Sequence, residues 1–220
     1  MNFECFIFDF DGTLACSERA YREAFLHSIK LHTQVDVDEM EMSGFWNLTP
    51  HEVLGRYDEA RVDEMILSFE EHYYANHHHL AAYEGIVEML DHLIGVGARI
   101  GVVSLKPRRA GEPELDITGL REKIISAVWG DDVERPKPYP EGVLRVLKTL
   151  DADPRRTLVI GDSPSDIIMG RRAGTWTAAA LWGGVSAAST LRERLMEHQP
   201  DLELESPADL LKALEGFSFG

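Results

Sequence analysis

A short apolar run leads directly into two carboxylates in the opening stretch Phe3-Glu4-Cys5-Phe6-Ile7-Phe8-Asp9-Phe10-Asp11-Gly12-Thr13. Such a run, bounded by polar residues, is typical of a buried strand. Asp9 and Asp11 stand two residues apart at its end, so both carboxylates can converge on one site, and Gly12 allows a sharp turn close to a ligand. The alternative is an Asp-Gly turn that only ends the strand. We favour a functional site, because these residue types in this order are expected about once in 10⁵ positions at average usage.

Four further apolar segments predict strands at residues 99–104, 125–129, 157–160 and 175–181. Helical patterns lie between them, at about residues 86–94, 143–150 and 167–173. Strands that alternate with helices indicate βαβ units and a mostly parallel sheet. We therefore predict an α/β fold with a Rossmann-like, mostly parallel sheet, whose functional loops lie at the carboxyl ends of the strands.

One block interrupts this alternation, since residues 15–83 carry helical patterns and no convincing strand. Within it, Thr49-Pro50-His51-Glu52 is a capping box with proline at the first helical position, which predicts the start of a helix. We predict an inserted α-helical cap domain at residues 15–83 and a Rossmann-like core formed by residues 1–14 and 84–220. The insertion is strongly acidic. Residues 15–85, which contain it, hold 14 acidic and 5 basic residues, a net charge of −9.

Composition excludes several classes of protein. The 220-residue chain has a net charge of −16 at pH 7, which argues against a general nucleic-acid binder or a protein that binds anionic membranes. Its two cysteines, Cys5 and Cys16, do not make a disulfide framework, and its start lacks the basic region of a signal peptide. No apolar run reaches the roughly 18 residues of a membrane span. We expect a cytoplasmic protein with no nucleic-acid or membrane partner. The sequence contains no pattern that indicates its oligomeric state.

Further polar residues stand where later strands end. Ser104 closes the second predicted strand, Asp162 follows the fourth, and Asp166 falls in the first turn of the next helix. Each has an ordinary alternative, namely a serine that caps a turn or acids favoured by a helix dipole. Beside Asp9 and Asp11, however, carboxylates at neighbouring strand ends form an oxygen-rich site suited to Mg²⁺.

Lys137 lies in Arg135-Pro136-Lys137-Pro138-Tyr139-Pro140, where three prolines restrict the backbone around one lysine. Taken alone, it would be an exposed lysine in a rigid loop. The order of the candidate residues nevertheless indicates a function for Lys137, because that order resembles the four motifs of the haloacid dehalogenase-like superfamily of phosphohydrolases. Those residues are, in order, Asp9 with Asp11, Ser104, Lys137, and Asp162 with Asp166.

The resemblance covers nearly the whole chain. Residues 83–86 look like the return from cap to core, and the helical insertion resembles the C1 cap of the family. The best match is the branch that contains phosphoglycolate phosphatases, pyrophosphatases and β-phosphoglucomutases. Asp11 favours hydrolysis or transfer of phosphate esters, since the dehalogenases and phosphonate hydrolases of the family lack this acid.

The resemblance implies a role for each acid. Asp9 would attack phosphorus and form an aspartyl phosphate. Asp11 would protonate the leaving oxygen and later accept a proton from the hydrolytic water. Mg²⁺ would be held by Asp9, the backbone carbonyl of Asp11 and Asp162, and it would offset the repulsion between carboxylate and phosphate.

The resemblance also implies a phosphate-binding set of Ser104, the backbone N–H of Leu105, and Lys137, where positioning and charge do most of the work. Asp166 would support the metal site or Lys137, and Thr13 would support the metal site.

Two features depart from the family pattern. Asparagine often stands where this chain has Leu105, so only the backbone N–H remains there. Gly111 and Pro113 interrupt the helical pattern that follows, which predicts a short or mobile helix.

In this family the cap closes over the active site and supplies a specificity loop. By position, that loop would include Phe45, Trp46 and Asn47. Phe45 and Trp46 could shape a pocket for the leaving group. Ordinary packing between helices is an equal alternative.

We therefore predict a Mg²⁺-dependent phosphatase, a phosphoric monoester hydrolase, that acts on a small phosphorylated metabolite, with phosphoglycolate as the first candidate. The alternatives are a phosphomutase similar to β-phosphoglucomutase and a non-catalytic binding protein on the same scaffold. Basic residues in the loops at the phosphate end predict a locally basic floor that would attract an anionic substrate to an acidic protein. They are Lys106, Arg108, Arg109, Arg135 and Lys137.

Overall fold

The computed structural model describes residues 3–38, 45, 48–77, 80–183 and 188–215. The chain divides into two compact units, one formed by residues 1–16 and 81–220 and the other by residues 17–80. We call them the sheet unit and the helical unit. The predicted boundaries, after residue 14 and before residue 84, lie close to these.

The sheet unit contains six parallel strands among the described residues, in the spatial order β3-β2-β1-β4-β5-β6. The strands are β1 (Cys5–Phe8), β2 (Arg99–Val103), β3 (Ser126–Val128), β4 (Thr157–Gly161), β5 (Trp176–Ala180) and β6 (Leu202–Leu204). The predicted α/β fold with a Rossmann-like sheet is confirmed. Sequence patterns do not reveal β6, because three residues are too few to show a period.

Helices account for most of the remaining described residues. They are α1 (Glu18–Thr33), α2 (Pro50–Gly55), α3 (Val62–Asn76), α4 (Ile86–Gly95), α5 (Arg108–Ile117), α6 (Glu141–Leu150), α7 (Pro164–Ala173), α8 (Ala188–Met196) and α9 (Pro207–Glu215). Not one of these described helices combines the length and the apolar character that a membrane crossing requires.

The first strand is apolar throughout because both faces of the sheet are covered. Phe6 and Phe8 pack on one face with α4, α5 and α9, whereas Cys5 and Ile7 pack on the other with α6 and α7. All four side chains are buried. Parallel strands covered on both faces give continuous apolar runs of this kind, and the buried strand rigidly positions the residues that follow it.

The helical unit has its own core. Phe25 of α1 packs against Phe69 of α3, with ring centroids 4.5 Å apart. The predicted capping box at the start of α2 is confirmed, since the Thr49 hydroxyl accepts from the Glu52 N–H and the Glu52 carboxylate accepts from the Thr49 N–H. The described residues of this unit contain helices and no strand.

The predicted interruption near Gly111 and Pro113 is wrong, because α5 runs without a break through both residues. Gly111 is required by packing, since a Cβ there would overlap the six-membered ring of Trp129, a fully buried side chain. The Arg108 N–H at the start of the helix donates to Asp131 Oδ1 at 2.8 Å, which satisfies one N-terminal donor.

Replacing Gly111 with Ala is expected to destabilise the protein by about 1–3 kcal/mol, because an overpacked core forces its neighbours to shift. The measurement is urea unfolding. Gly95→Ala is the matched control, since Gly95 also lies in a helix and a Cβ there would meet no atom within 4 Å. Equal stability of the two variants would contradict the packing argument.

Candidate active site

The carboxyl ends of β1 and β4 meet where the strand order reverses. From β1 the sheet extends through β2 and β3 on one side and through β4, β5 and β6 on the other. Such a switch point leaves a crevice beyond the strand ends, where ligands bind in open α/β sheets. Asp9 follows β1 and Asp162 follows β4, and the Asp9 N–H donates to the Ile160 carbonyl at 2.9 Å. The two strands thus bring two predicted site acids to one crevice.

Asp9 is held on one carboxylate oxygen. Its Oδ1 accepts from the Phe10 N–H at 2.6 Å and lies 2.8 Å from Lys137 Nζ. The side chain is 13% exposed. Burial, and then the charge of Asp166, raises the pKa of Asp9 to about 7 against the opposing effect of Lys137. The environment therefore disfavours the anionic form of Asp9, and a cation bound nearby would stabilise that form.

Lys137 bridges two acids. Its Nζ donates to Asp166 Oδ1 at 2.6 Å and lies 2.8 Å from Asp9 Oδ1, and its side chain is 2% exposed. Burial disfavours the charged form, but the carboxylates of Asp166 and Asp9 outweigh it and raise the pKa of Lys137. Lys137 is thus a buried cation beside Asp9, and the simple exposed-loop alternative does not apply.

Asp166 is occupied on both oxygens. Oδ1 accepts from Lys137, and Oδ2 accepts from the Ser163 N–H at 3.1 Å and the Ser163 hydroxyl at 2.6 Å. The bond from the Ser163 N–H is one half of the reciprocal capping box at the start of α7. Of the two supporting roles weighed from the sequence, the one in which Asp166 contacts Lys137 matches these hydrogen bonds.

Asp162 lies against the turn that follows β1. Thr13, a buried residue, donates its hydroxyl to Asp162 Oδ1 at 3.1 Å. Gly12 has a φ of +76°, and a Cβ there would overlap the Asp162 carboxylate. Glycine is therefore needed both for the turn and for the close approach. Burial, followed by the charges of Asp9 and Asp166, raises the pKa of Asp162 well above its usual value.

These residues fit a divalent cation. Asp9, Asp162 and Asp166 each place an oxygen within 4.8 Å of the others. With all groups ionised, three carboxylates face the single ammonium of Lys137, so the cluster carries an excess of two negative charges. A buried excess of this kind is costly unless a cation balances it. Hard carboxylate oxygens are the donors that Mg²⁺ prefers.

Asp11 stands apart from that cluster. Its side chain is 28% exposed, and Oδ1 accepts from Lys106 Nζ at 2.8 Å. The Asp11 carboxylate is absent from the close group of Asp9, Asp162 and Asp166, and metal ligation through its backbone carbonyl stays a prediction. Sequence reasoning missed the Lys106 contact, and only the presence of a lysine two residues beyond Ser104 could have suggested it.

Ser104 and Leu105 follow β2, the neighbour of β1. Ser104 is buried, and its hydroxyl oxygen accepts from the Lys106 N–H at 3.1 Å. Leu105 is 54% exposed. Both residues lie at the edge of the sheet that carries Asp9, and their contact with phosphate stays a prediction.

The predicted basic floor is largely neutralised within the protein. Lys137 pairs with Asp9 and Asp166, and Lys106 pairs with Asp11 and Glu114. Arg108 pairs with Asp132 and Glu112 at 2.6 Å each. These three of the five basic residues are therefore engaged in ion pairs within the protein, and attraction of an anion would depend mainly on a bound cation.

The predicted specificity residues fall in the helical unit. Phe45 is buried, and its ring packs on Phe25 and Tyr57 with centroid distances of 5.6 and 6.2 Å. This is the interhelix packing that was the alternative to a substrate pocket. Trp46 and Asn47 lie outside the described residues.

Known proteins resemble this chain in sequence and in fold. Pyrophosphatase PpaX from Bacillus cereus is 33% identical, and the match covers 99% of both chains. Two solved structures share the fold. One is a haloacid dehalogenase-like hydrolase from Streptococcus pneumoniae, with a TM-score of 0.82, 19% identity and coverage of 96% of this chain and 98% of that chain. The other is a predicted phosphoglycolate phosphatase from Haemophilus somnus, with a TM-score of 0.81, 21% identity and coverage of 97% and 99%.

The family match confirms the resemblance drawn from the motifs. The model of the haloacid dehalogenase-like hydrolase family matches residues 6–180, which span every site residue from Asp9 to Asp166. The prediction of an enzyme of the hydrolase class is likewise confirmed, and these relatives carry hydrolase or phosphatase names. With acids at the predicted strand ends and a relative aligned over nearly its whole length, the chain belongs to the haloacid dehalogenase-like hydrolase family.

Proposed function

We propose that this protein is a Mg²⁺-dependent phosphohydrolase that acts on a small phosphorylated metabolite through an aspartyl phosphate on Asp9. The observation that carries the proposal is the buried contact between Lys137 and Asp9, beside Asp162, at the switch point of the sheet. A nucleophilic carboxylate needs a cation close by if it is to approach an anionic phosphoryl group.

Different residues of the chain would carry out the separate parts of the reaction. Asp9 forms a bond to phosphorus while the bond from phosphorus to the leaving oxygen breaks, and its electron pair goes to that oxygen. Asp11 gives the leaving oxygen a proton, and in the second step accepts one from the water that attacks the aspartyl phosphate. Lys137, Ser104 and the Leu105 N–H hold the phosphoryl oxygens.

The metal would be held by Asp9, Asp162 and the backbone carbonyl of Asp11, with Thr13 orienting Asp162 through its hydroxyl. When bound, Mg²⁺ would neutralise the repulsion between the Asp9 carboxylate and the phosphoryl oxygens. Asp166 would act through Lys137, since both of its oxygens are already engaged.

Two substrate candidates follow from different observations. Phosphoglycolate is the first candidate from the motif resemblance. Pyrophosphate is favoured by the PpaX relatives, whose 33% identity extends over nearly both whole chains. The likeness to the Haemophilus somnus protein, at 21% identity, supports the fold alone. We therefore place pyrophosphate first in any test and phosphoglycolate second.

The test is phosphate release from a panel of substrates by purified protein with Mg²⁺ or with EDTA. The panel contains pyrophosphate, phosphoglycolate, p-nitrophenyl phosphate and several sugar phosphates. We expect Mg²⁺-dependent release from at least one of them. Isomerisation of a sugar phosphate that requires a bisphosphate activator would identify a phosphomutase instead. Absence of turnover on every compound, with Asp9→Asn equal to the wild type, would favour the non-catalytic alternative.

Asp162→Asn is expected to raise the melting temperature in EDTA and to abolish the further rise that Mg²⁺ gives the wild type. The substitution removes one of the two excess negative charges of the acid cluster, so the metal-free protein gains stability and loses a ligand. For the wild type, Mg²⁺ at about 100 times its Kd would add about 2.7 kcal/mol to the free energy of unfolding. Thermal unfolding with and without Mg²⁺ measures both effects.

Two control variants sharpen that experiment. Asp11→Asn should retain the Mg²⁺ response while losing turnover, because its proposed ligand is a backbone carbonyl. Glu122→Gln removes the same charge from an exposed position and should change neither quantity. If Asp11→Asn and Asp162→Asn lose Mg²⁺ affinity equally, the proposed ligand set is wrong.

A further inference from the structure

Lys106 lies in the interior of the sheet unit and touches a proposed catalytic acid. Its side chain is 0% exposed, and its Nζ donates to Asp11 Oδ1 at 2.8 Å. The same ammonium pairs with Glu114, whose side chain is also 0% exposed, and it lies 5.3 Å from the centre of the Phe10 ring. A buried cation with this set of neighbours has very little room to move.

The lysine is fixed both at its backbone and at its ammonium group. Its backbone N–H donates to the Ser104 hydroxyl at 3.1 Å, and its carbonyl accepts from the Gly130 N–H at 2.9 Å. Glu114 lies in α5, the helix that packs on Trp129 through Gly111. The rigid end of β2 and a buried helix therefore set the position of the ammonium relative to Asp11.

Asp11 has the opposite character. It lies on the turn after β1, beside the positive φ of Gly12, and its carboxylate is 28% exposed. A side chain in that position could adopt more than one rotamer. Lys106 holds Oδ1, which leaves Oδ2 as the oxygen to exchange a proton with substrate or water. General acid–base catalysis depends on such an atom lying within hydrogen-bond reach of the reacting oxygen.

We propose that Lys106, held by Glu114, is a positioning residue that orients the Asp11 carboxyl group for proton transfer to the leaving oxygen. The proposal rests on the proposed function, because it takes from it the role of Asp11. In the step concerned, the proton on Asp11 Oδ2 passes to the leaving oxygen as that oxygen receives the electron pair of its bond to phosphorus. Lys106 itself transfers no proton and touches no reacting atom.

The test measures the hydrolysis of two phosphate esters by Lys106→Met and by the wild type. Phenyl phosphate has a poor leaving group that needs protonation, whereas p-nitrophenyl phosphate has a good one that needs it far less. We expect kcat/KM to fall about 100-fold on phenyl phosphate and less than tenfold on p-nitrophenyl phosphate. The ratio kcat/KM reports formation of the aspartyl phosphate, in which the leaving oxygen departs, and not the later hydrolysis that both esters share. Lys106→Arg, which keeps a donor, should recover part of the difference. Lys123→Met is the matched control, since that lysine pairs with Asp91 at the surface.

The outcomes separate this proposal from a structural role and from the proposed function. An equal loss of kcat/KM on both esters overturns the proposal. If Lys106→Met does not fold, Lys106→Met with Glu114→Gln removes both buried charges, and the same comparison applies to it. Asp11→Asn should show the same dependence on leaving group. If it does and the Lys106 variants do not, only the role of Lys106 fails; if Asp11→Asn does not, the proposed role of Asp11 fails.

Discussion

Asp9→Asn is expected to lower kcat by about 10⁴-fold or more on every substrate that the wild type hydrolyses, because an amide cannot act as the nucleophile. The fold should survive. Asparagine has nearly the same shape, and the substitution removes a carboxylate whose pKa burial and Asp166 raise to about 7. The Phe10 N–H can still donate to the side-chain oxygen. The measurement is kcat with saturating Mg²⁺, together with the melting temperature.

The aspartyl phosphate gives a second readout. Acid quenching during turnover, followed by mass spectrometry of the peptide that contains Asp9, should detect the phosphorylated peptide in the wild type and not in Asp9→Asn. Glu122→Gln, a matched loss of one surface charge, should behave as the wild type does. Turnover by Asp9→Asn within tenfold of the wild type would eliminate Asp9 as the nucleophile.

Lys137→Met is expected to have the second largest effect, and it should affect both stability and turnover. The substitution leaves Asp9 and Asp166 without the ammonium that lies 2.8 and 2.6 Å from them. Removing one partner of a buried ion pair typically costs about 3–5 kcal/mol. Loss of a preorganised cation from the proposed phosphoryl site should also lower kcat by about 10²–10³-fold. Urea unfolding and steady-state kinetics measure the two effects separately.

A double variant separates the structural role of Lys137 from its catalytic role. In Lys137→Met with Asp166→Asn, the buried charge that lost its partner is removed, so stability should recover in part while turnover stays low. Lys148→Met, at an exposed position of α6, is the control for loss of a lysine. If turnover returns together with stability in the double variant, Lys137 acts only as a structural partner of the acids.

Local patterns were sufficient for much of the fold. β1 and β4 could be predicted because each is an apolar run followed at once by an acid. A parallel strand that is buried on both faces typically has such a continuous apolar sequence. Helix α5 shows where this approach fails. Gly111 and Pro113 argue against a helix by their intrinsic preferences, but packing against Trp129 favours a close helix at that point and outweighs them. β6 was missed because its three residues acquire strand geometry only by pairing with β5.

For this protein, the sequence marked Asp9, Asp11 and Asp162 as candidate chemical groups, because parallel strands bring the residues at their carboxyl ends to one edge. Lys137 was added only by the resemblance to the family motifs. The pairing of those groups depends on the tertiary fold. Lys137 meets Asp166 across 29 residues of chain, and Lys106 meets Asp11 across 95. Such partners follow from the packing of helices on the sheet, and no spacing along the chain encodes them. Of the five predicted basic residues, Lys106, Arg108 and Lys137 are already paired with acids of the protein, and for Lys106 and Lys137 these include the site acids Asp11, Asp9 and Asp166.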